Sequence, residues 1–190
     1  MPILLVLGMP ASAVAGSRVK LEGAPVTVEI PAGWVVAPVS TDAPYLGLTL
    51  CDPESSDSNS CLVDGEMSLA QLTAEQAPTS MESLLHEIQV GYDESESSER
   101  ILAPQRLKVA NLDTVESASI GKVHYNYGPG KGGSWAPMLY HTLTLRDRQT
   151  FYRCSLHVTP AGYTAELRQA LAEFCSSLQI TGSGSQSGKQ

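Results

Sequence analysis

MLYHTLTLRDRQTFYRCSLHV, residues 138–158, reads as two strands, Met138 to Leu145 and Gln149 to Val158. Arg146-Asp147-Arg148-Gln149 is the tight polar turn between them. Outward from this hairpin lie further extended stretches, Arg106 to Val109, Asp113 to Ile120 and Lys122 to Tyr127. The last runs into the glycine-rich turn GPGKGG at 128–133. Nearer the N-terminus, Val26, Val28 and Ile30 alternate with polar residues and share one face, which predicts a half-buried strand ended by Pro31. Tyr45 to Leu50 is another strand, with Leu62 to Met67 as its hairpin partner. Strands joined by turns of hairpin length call for an antiparallel sheet.

The helical signals lie between and after these strands. SLAQLTAEQA, from Ser68, reads as a helix limited by Pro78. SMESLLHEIQVGY is clearer, with Ser80 as N-cap, Leu84, Leu85 and Ile88 as the apolar stripe, and Gly91 as a C-cap. DESESSER, residues 93–100, then reads as a solvated acidic turn. A final helix over Tyr163 to Ser176 is set by Thr159-Pro160 and turns Leu167, Leu171 and Phe174 inward. The fold class expected is α+β, an antiparallel sheet flanked by helices.

Length and composition agree with one packed domain. The chain has 190 residues, 42% apolar and 17% charged, enough to bury a core and too apolar for disorder. Twenty acids against twelve bases leave a net charge of −8, which argues against a nucleic-acid partner and favours a basic one. No apolar run reaches the length of a membrane span. Residues 1–15 read as a signal peptide: an apolar run from Ile3 to Leu7 precedes two Ala-x-Ala sites, at Ala11 to Ala13 and Ala13 to Ala15. The basic segment that opens such a peptide is absent, so whether Met1 is the native start stays open. A buried first strand is the competing reading. The remainder divides into a single domain, 16–181, and a flexible tail, 182–190, rich in Gly and Ser.

Four cysteines, Cys51, Cys61, Cys154 and Cys175, suit an exported chain carrying two disulfides. Three pairings exist, and proximity favours Cys51–Cys61 and Cys154–Cys175. A zinc site would need a C-x-x-C knuckle, which these spacings lack.

An early strand ending Ile30-Pro31-x-Gly33-Trp34, a helix after the second strand pair, a long meander and a terminal helix closing on Ser176-Ser177-Leu178-Gln179-Ile180 resemble the PsbP/DcrB-like superfamily. The resemblance spans about Val26 to Ile180. It implies an exported sandwich, with the antiparallel sheet packed between helices, that binds partners. It supplies no catalytic residue set.

Residues with chemical potential are weighed individually. His124, His141 and His157 lie on three predicted strands, and two of them meeting on one face would offer metal ligands; His86 stands apart. No H-x-x-x-H spacing supports this, so polar positions on a solvated face are the simpler account. No G-x-S-x-G elbow singles out a serine. The GPGKGGS stretch has Pro129 where a phosphate loop needs a donor, and a strand where it needs a helix. Asp57 and Asn59 alternate as calcium oxygens could, but Cys61 and Leu62 break the EF-hand pattern. Glu94, Glu96 and Glu99 crowd one turn where nothing apolar would raise a carboxyl pKa.

The reading is a periplasmic or secreted envelope protein acting by protein–protein contact, with no catalytic residues, cofactor or metal. An immunity protein that inhibits a secreted toxin is one concrete form. The contact residues expected are Tyr125, Tyr127, Lys131 and Trp135 around the glycine-rich loop, and Asp52, Glu54 and Asp57 in the stapled loop. The alternatives are an envelope hydrolase, with a histidine beside a serine or carboxylate in a pocket, and a small-ligand carrier with an apolar cavity between sheet and helix.

Overall fold

Alternation decides the first elements. In this computed structural model, which describes residues 16–36, 44–50, 65–94, 99–126 and 133–181, β1 (Arg18–Lys20) pairs antiparallel with β2 (Val26–Glu29). Val26, Val28 and Ile30 point into the core, as their spacing predicts. Pro31 has no N–H to continue the ladder, and Gly33, at φ 81°, turns the chain into β3 (Trp34–Val36). Trp34 is buried in the core.

β4 (Tyr45–Leu50) and β5 (Gly65–Gln71) form the expected pair, with Leu48 opposite Met67. The helix expected from Ser68 is not formed at its start: Ser68 to Gln71 belong to β5. Met67 and Leu69 alternate into the core while the strand is paired on both sides, and that burial outweighs local helix propensity. α1 (Met81–Glu94) starts where predicted. The Ser80 hydroxyl accepts from the Ser83 N–H at 3.0 Å, and the Ser83 hydroxyl accepts from the Ser80 N–H at 3.0 Å, a reciprocal cap. Gly91 is not a C-cap, because the helix continues past it to Glu94. Of the acidic stretch expected as a turn, Asp93 and Glu94 are helical, Glu99 and Arg100 belong to the next strand, and 95–98 lie outside the described residues.

β6 (Glu99–Val109) is an edge strand whose register slips between Arg100 and Leu102 and again before Gln105, around Pro104. Ala110 and Asn111, both at positive φ, make the two-residue turn into β7 (Leu112–Asn126). The two strands expected at 113–120 and 122–127 are one. Gly121 stays in the ladder opposite Met138, and the Tyr140 ring would lie 3.3 Å from a Cβ there. β8 (Gly133–Asp147) and β9 (Thr150–Val158) form the hairpin read first, turning at Arg148, φ 55°. Thr159 and Pro160 open a separate 3-10 turn, Pro160–Gly162, rather than the last helix. α2 (Ala165–Ser176) is capped instead by Thr164, whose hydroxyl accepts from the Leu167 N–H. The chain returns as β10 (Gln179–Ile180) beside β2.

The large sheet runs β3-β4-β5-β9-β8-β7-β6, and the small one β1-β2-β10. Every pairing is antiparallel. One face of the large sheet packs against α2 and the small sheet through Leu139, Leu143, Leu156, Leu171 and Phe174. Burying each of these side chains contributes about 1.5–3 kcal/mol. On the other face α1 sets Met81 and Leu84 against Val115 and Phe151. A disulfide joins Cys154 on β9 to Cys175 on α2, with Cα atoms 6.2 Å apart. Cys51 and Cys61 lie outside the described residues, as do 1–15 and the tail from 182.

Candidate functional site

Unequal strand lengths build the site. β9 ends at Val158 opposite Leu139, and β6 begins at Glu99 opposite Ile120. β8 continues past β9, so Gly133–Met138 run on paired with Gly121–Asn126 of β7 as a ribbon. At its end Trp135 is 68% exposed, while Ile101, the other large exposed hydrophobic among the described residues, is 42% exposed. Trp135 pairs across the ribbon with His124, the ring centroids 5.0 Å apart and tilted by 54°. Lys122 stands opposite Pro137 in the same ribbon. An open recess of about 690 Å³ is lined by Lys122, Trp135, Ala136 and Pro137. An indole beside a cation and a proline, set on paired backbone, offers apolar area and directed polar contacts to another surface.

Of the other contact residues expected from the sequence, Tyr125 lies in the same ribbon, paired with Ser134. Tyr127, Lys131, Asp52, Glu54 and Asp57 lie outside the described residues. The histidines do not converge. His86 is exposed on α1, and His124 is exposed on the ribbon. His141 pairs with Ala118 inside the sheet, and His157 faces the other side. Among the described residues no three His, Cys, Asp or Glu gather as a metal site.

One polar array was not read from the sequence. His141, 2% exposed, has Nε2 2.9 Å from Oε1 of Glu116 and Nδ1 3.0 Å from the hydroxyl of Tyr163. Burial lowers the His141 pKa, against an opposing pull from Glu116. The neutral tautomer fits: Nε2–H donates to the carboxylate and Nδ1 accepts from the phenol. Both ring nitrogens are thus engaged internally, which suits fastening rather than proton transfer to a substrate. Glu116 and His141 lie 25 residues apart, and only the β7–β8 register brings them together. The space between α2 and the sheet, where a carrier's cavity would lie, holds Leu171, Phe174 and Cys175, all fully buried.

No family model matches the chain, and no curated protein matches it in sequence. Its fold does have solved counterparts. The Ran-binding protein Mog1p of Saccharomyces cerevisiae is similar with a TM-score of 0.55 at 14% identity, covering 88% of this chain and 96% of its own. A protein from Bacteroides thetaiotaomicron is similar with a TM-score of 0.54 at 12% identity over 90% of this chain, which spans 50% of that protein's length. The cyanobacterial PsbP of Synechocystis gives a TM-score of 0.47 at 12% identity, over 92% of this chain and 98% of its own. What is shared at these identities is the fold alone.

Proposed function

We propose that this protein is an exported, non-enzymatic component of the cell envelope that works by protein–protein contact, and that the ribbon carrying Trp135 is its contact surface. The observation behind this reading is the exposed indole on a strand, β8, that outruns its neighbour β9. Covering the ribbon with a partner would bury the indole and complete the site. Tyr125, and with it Tyr127 and Lys131, would extend that surface, while Asp52, Glu54 and Asp57 would supply an acidic rim. The net charge of −8 favours a basic partner. Inhibition of a secreted toxin, as an immunity protein, is the specific form we favour. The similarity to a fold that in yeast belongs to a Ran-binding protein is compatible with a binding role.

The test is co-purification from the native envelope with the wild-type chain and Trp135→Ala side by side. Recovery of one stoichiometric basic protein by the wild type, lost with the variant, supports the reading. Equal recovery by both, or turnover of an envelope substrate by the purified chain, overturns it.

A further inference from the structure

The face of the large sheet that carries α1 is only partly apolar. The strand register sorts its side chains into rows. Arg153 on β9 stands between Ala70 on β5 and Thr144 on β8. In the next row Ser155 lies between Ser68 and Thr142, and beyond it His157 lies between Glu66 and Tyr140. From Arg153 to His157 is about 13 Å along an extended strand. Ser68, Ser155 and Thr144 are buried; Arg153, Thr142 and His157 are half-buried. Thr144 stands directly opposite Arg153, about 5 Å away, and Ser155 and Thr142 form the next row, where the Thr142 hydroxyl also lies 3.1 Å from that of Ser117.

Arg153 is the anomaly in this arrangement. Arg18 pairs with Glu29, Arg106 with Glu82, and Lys108 with Asp113. Arg146 lies over the Phe151 ring and donates to the Arg148 carbonyl. Among the described residues no carboxylate bonds to Arg153, although acids outnumber bases in the chain. Burial lowers its pKa, with nothing opposing. A partly desolvated cation lacking a counter-ion is costly, and an apolar residue at this position would avoid the cost.

We infer that Arg153, with the hydroxyls of Thr142, Thr144 and Ser155 around it, binds a small ligand through a singly charged carboxylate. The guanidinium fork matches a carboxylate's two oxygens, and the hydroxyls suit polar groups beside it. Glu66, two rows away, sets the charge: it is exposed and accepts from the Tyr45 hydroxyl at 2.7 Å. A doubly charged anion would meet its repulsion, whereas a monoanion is neutralised by Arg153 alone. The rings of Tyr140 and His157, with centroids 4.9 Å apart, bound the far side. By strand alternation this site and Trp135 lie on opposite faces of β8, so one can fail without the other.

The experiment is a titration of the ¹⁵N-labelled full chain with acetate and glycolate, read at the Arg153 Nε–H and the amides of Ser68 and Ser155, with chloride at matched ionic strength as reference. Saturable shifts at millimolar concentration are expected. Arg153→Lys weakens binding about tenfold, because the fork is lost while the charge stays. Thr142→Val weakens it less. Arg153→Gln abolishes it, and if that variant fails to fold, the lysine variant decides. Three results overturn the assignment: no saturable shift up to about 100 mM, shifts that persist unchanged in Arg153→Lys, or tighter binding of inorganic phosphate at alkaline pH, where it carries two charges.

Discussion

The hydroxyl of Tyr163 lies 3.0 Å from Nδ1 of His141, so the segment leading into α2 is fastened to the middle of the sheet by the imidazole that also holds Glu116. Tyr163→Phe leaves that buried nitrogen without a donor. The expected loss is about 1–2 kcal/mol, seen as a lower urea midpoint at unchanged slope. In a double-mutant cycle with Glu116→Gln the two losses should not add, because both act through one ring.

Acid should weaken the fold through two of its histidines. Burial lowers the pKa of both His141 and His157 from the ordinary 6.5. Below that value the unfolded chain takes up protons that the folded chain refuses, so stability falls as pH drops from about 6.5 towards the folded values. The melting temperature, followed from neutral pH to about pH 5, should decline. His157→Gln should make the decline shallower, since it removes one of the two groups.

At the alkaline end the sign reverses. The Tyr45 phenol is pushed up to about 12 by burial and by its bond to Glu66. Between the ordinary 10.0 and about 12 the folded chain keeps a proton that the unfolded chain has lost, so stability falls as pH rises through that window. Tyr45→Phe should flatten part of the slope. Tyr152 and Tyr163, also raised by burial, keep the rest.

Much of this architecture is legible in the sequence where burial has a local period. Val26, Val28 and Ile30 announce β2, Leu171 and Phe174 announce the buried stripe of α2, and the polar turn announces the β8–β9 hairpin. Legibility fails where a distant partner decides. Ser68 to Gln71 carry residues a helix accepts, and only pairing with β4 and β9 makes them a strand. Gly121 looks like a break until the Tyr140 ring is seen beside it. Trp135 stands out in the sequence as an aromatic beside a glycine-rich turn. Its exposure follows from β8 having 15 residues and β9 only 9, which no local pattern contains. The Glu116–His141 contact depends on register across two strands and has no local signature either.

Joining Cys154 to Cys175 spans 21 residues and ties β9 to the last turn of α2. In the chain-entropy model a closure of this length contributes about 3 kcal/mol. The double replacement Cys154→Ala and Cys175→Ala should lose about that much in urea, with native-like far-UV dichroism at low denaturant. Both residues are fully buried, so reductant should cleave the bond slowly in the native state and quickly once urea opens it.

The two tryptophans of the chain should behave as opposites. Trp34 is 2% exposed within the main core, and Trp34→Ala should cost about 3–5 kcal/mol. Trp135 is 68% exposed and among the described residues meets one ring, that of His124, so Trp135→Ala should change stability by about 0.5 kcal/mol or less. Fluorescence separates them: the red-shifted emission should vanish with Trp135→Ala and the blue-shifted emission with Trp34→Ala. A neutral Trp135→Ala means that selection for folding does not explain a large apolar ring in water, which leaves contact with another molecule as its use. A loss well above 1 kcal/mol would make the indole a brace for the ribbon, and the contact surface would have to be sought elsewhere.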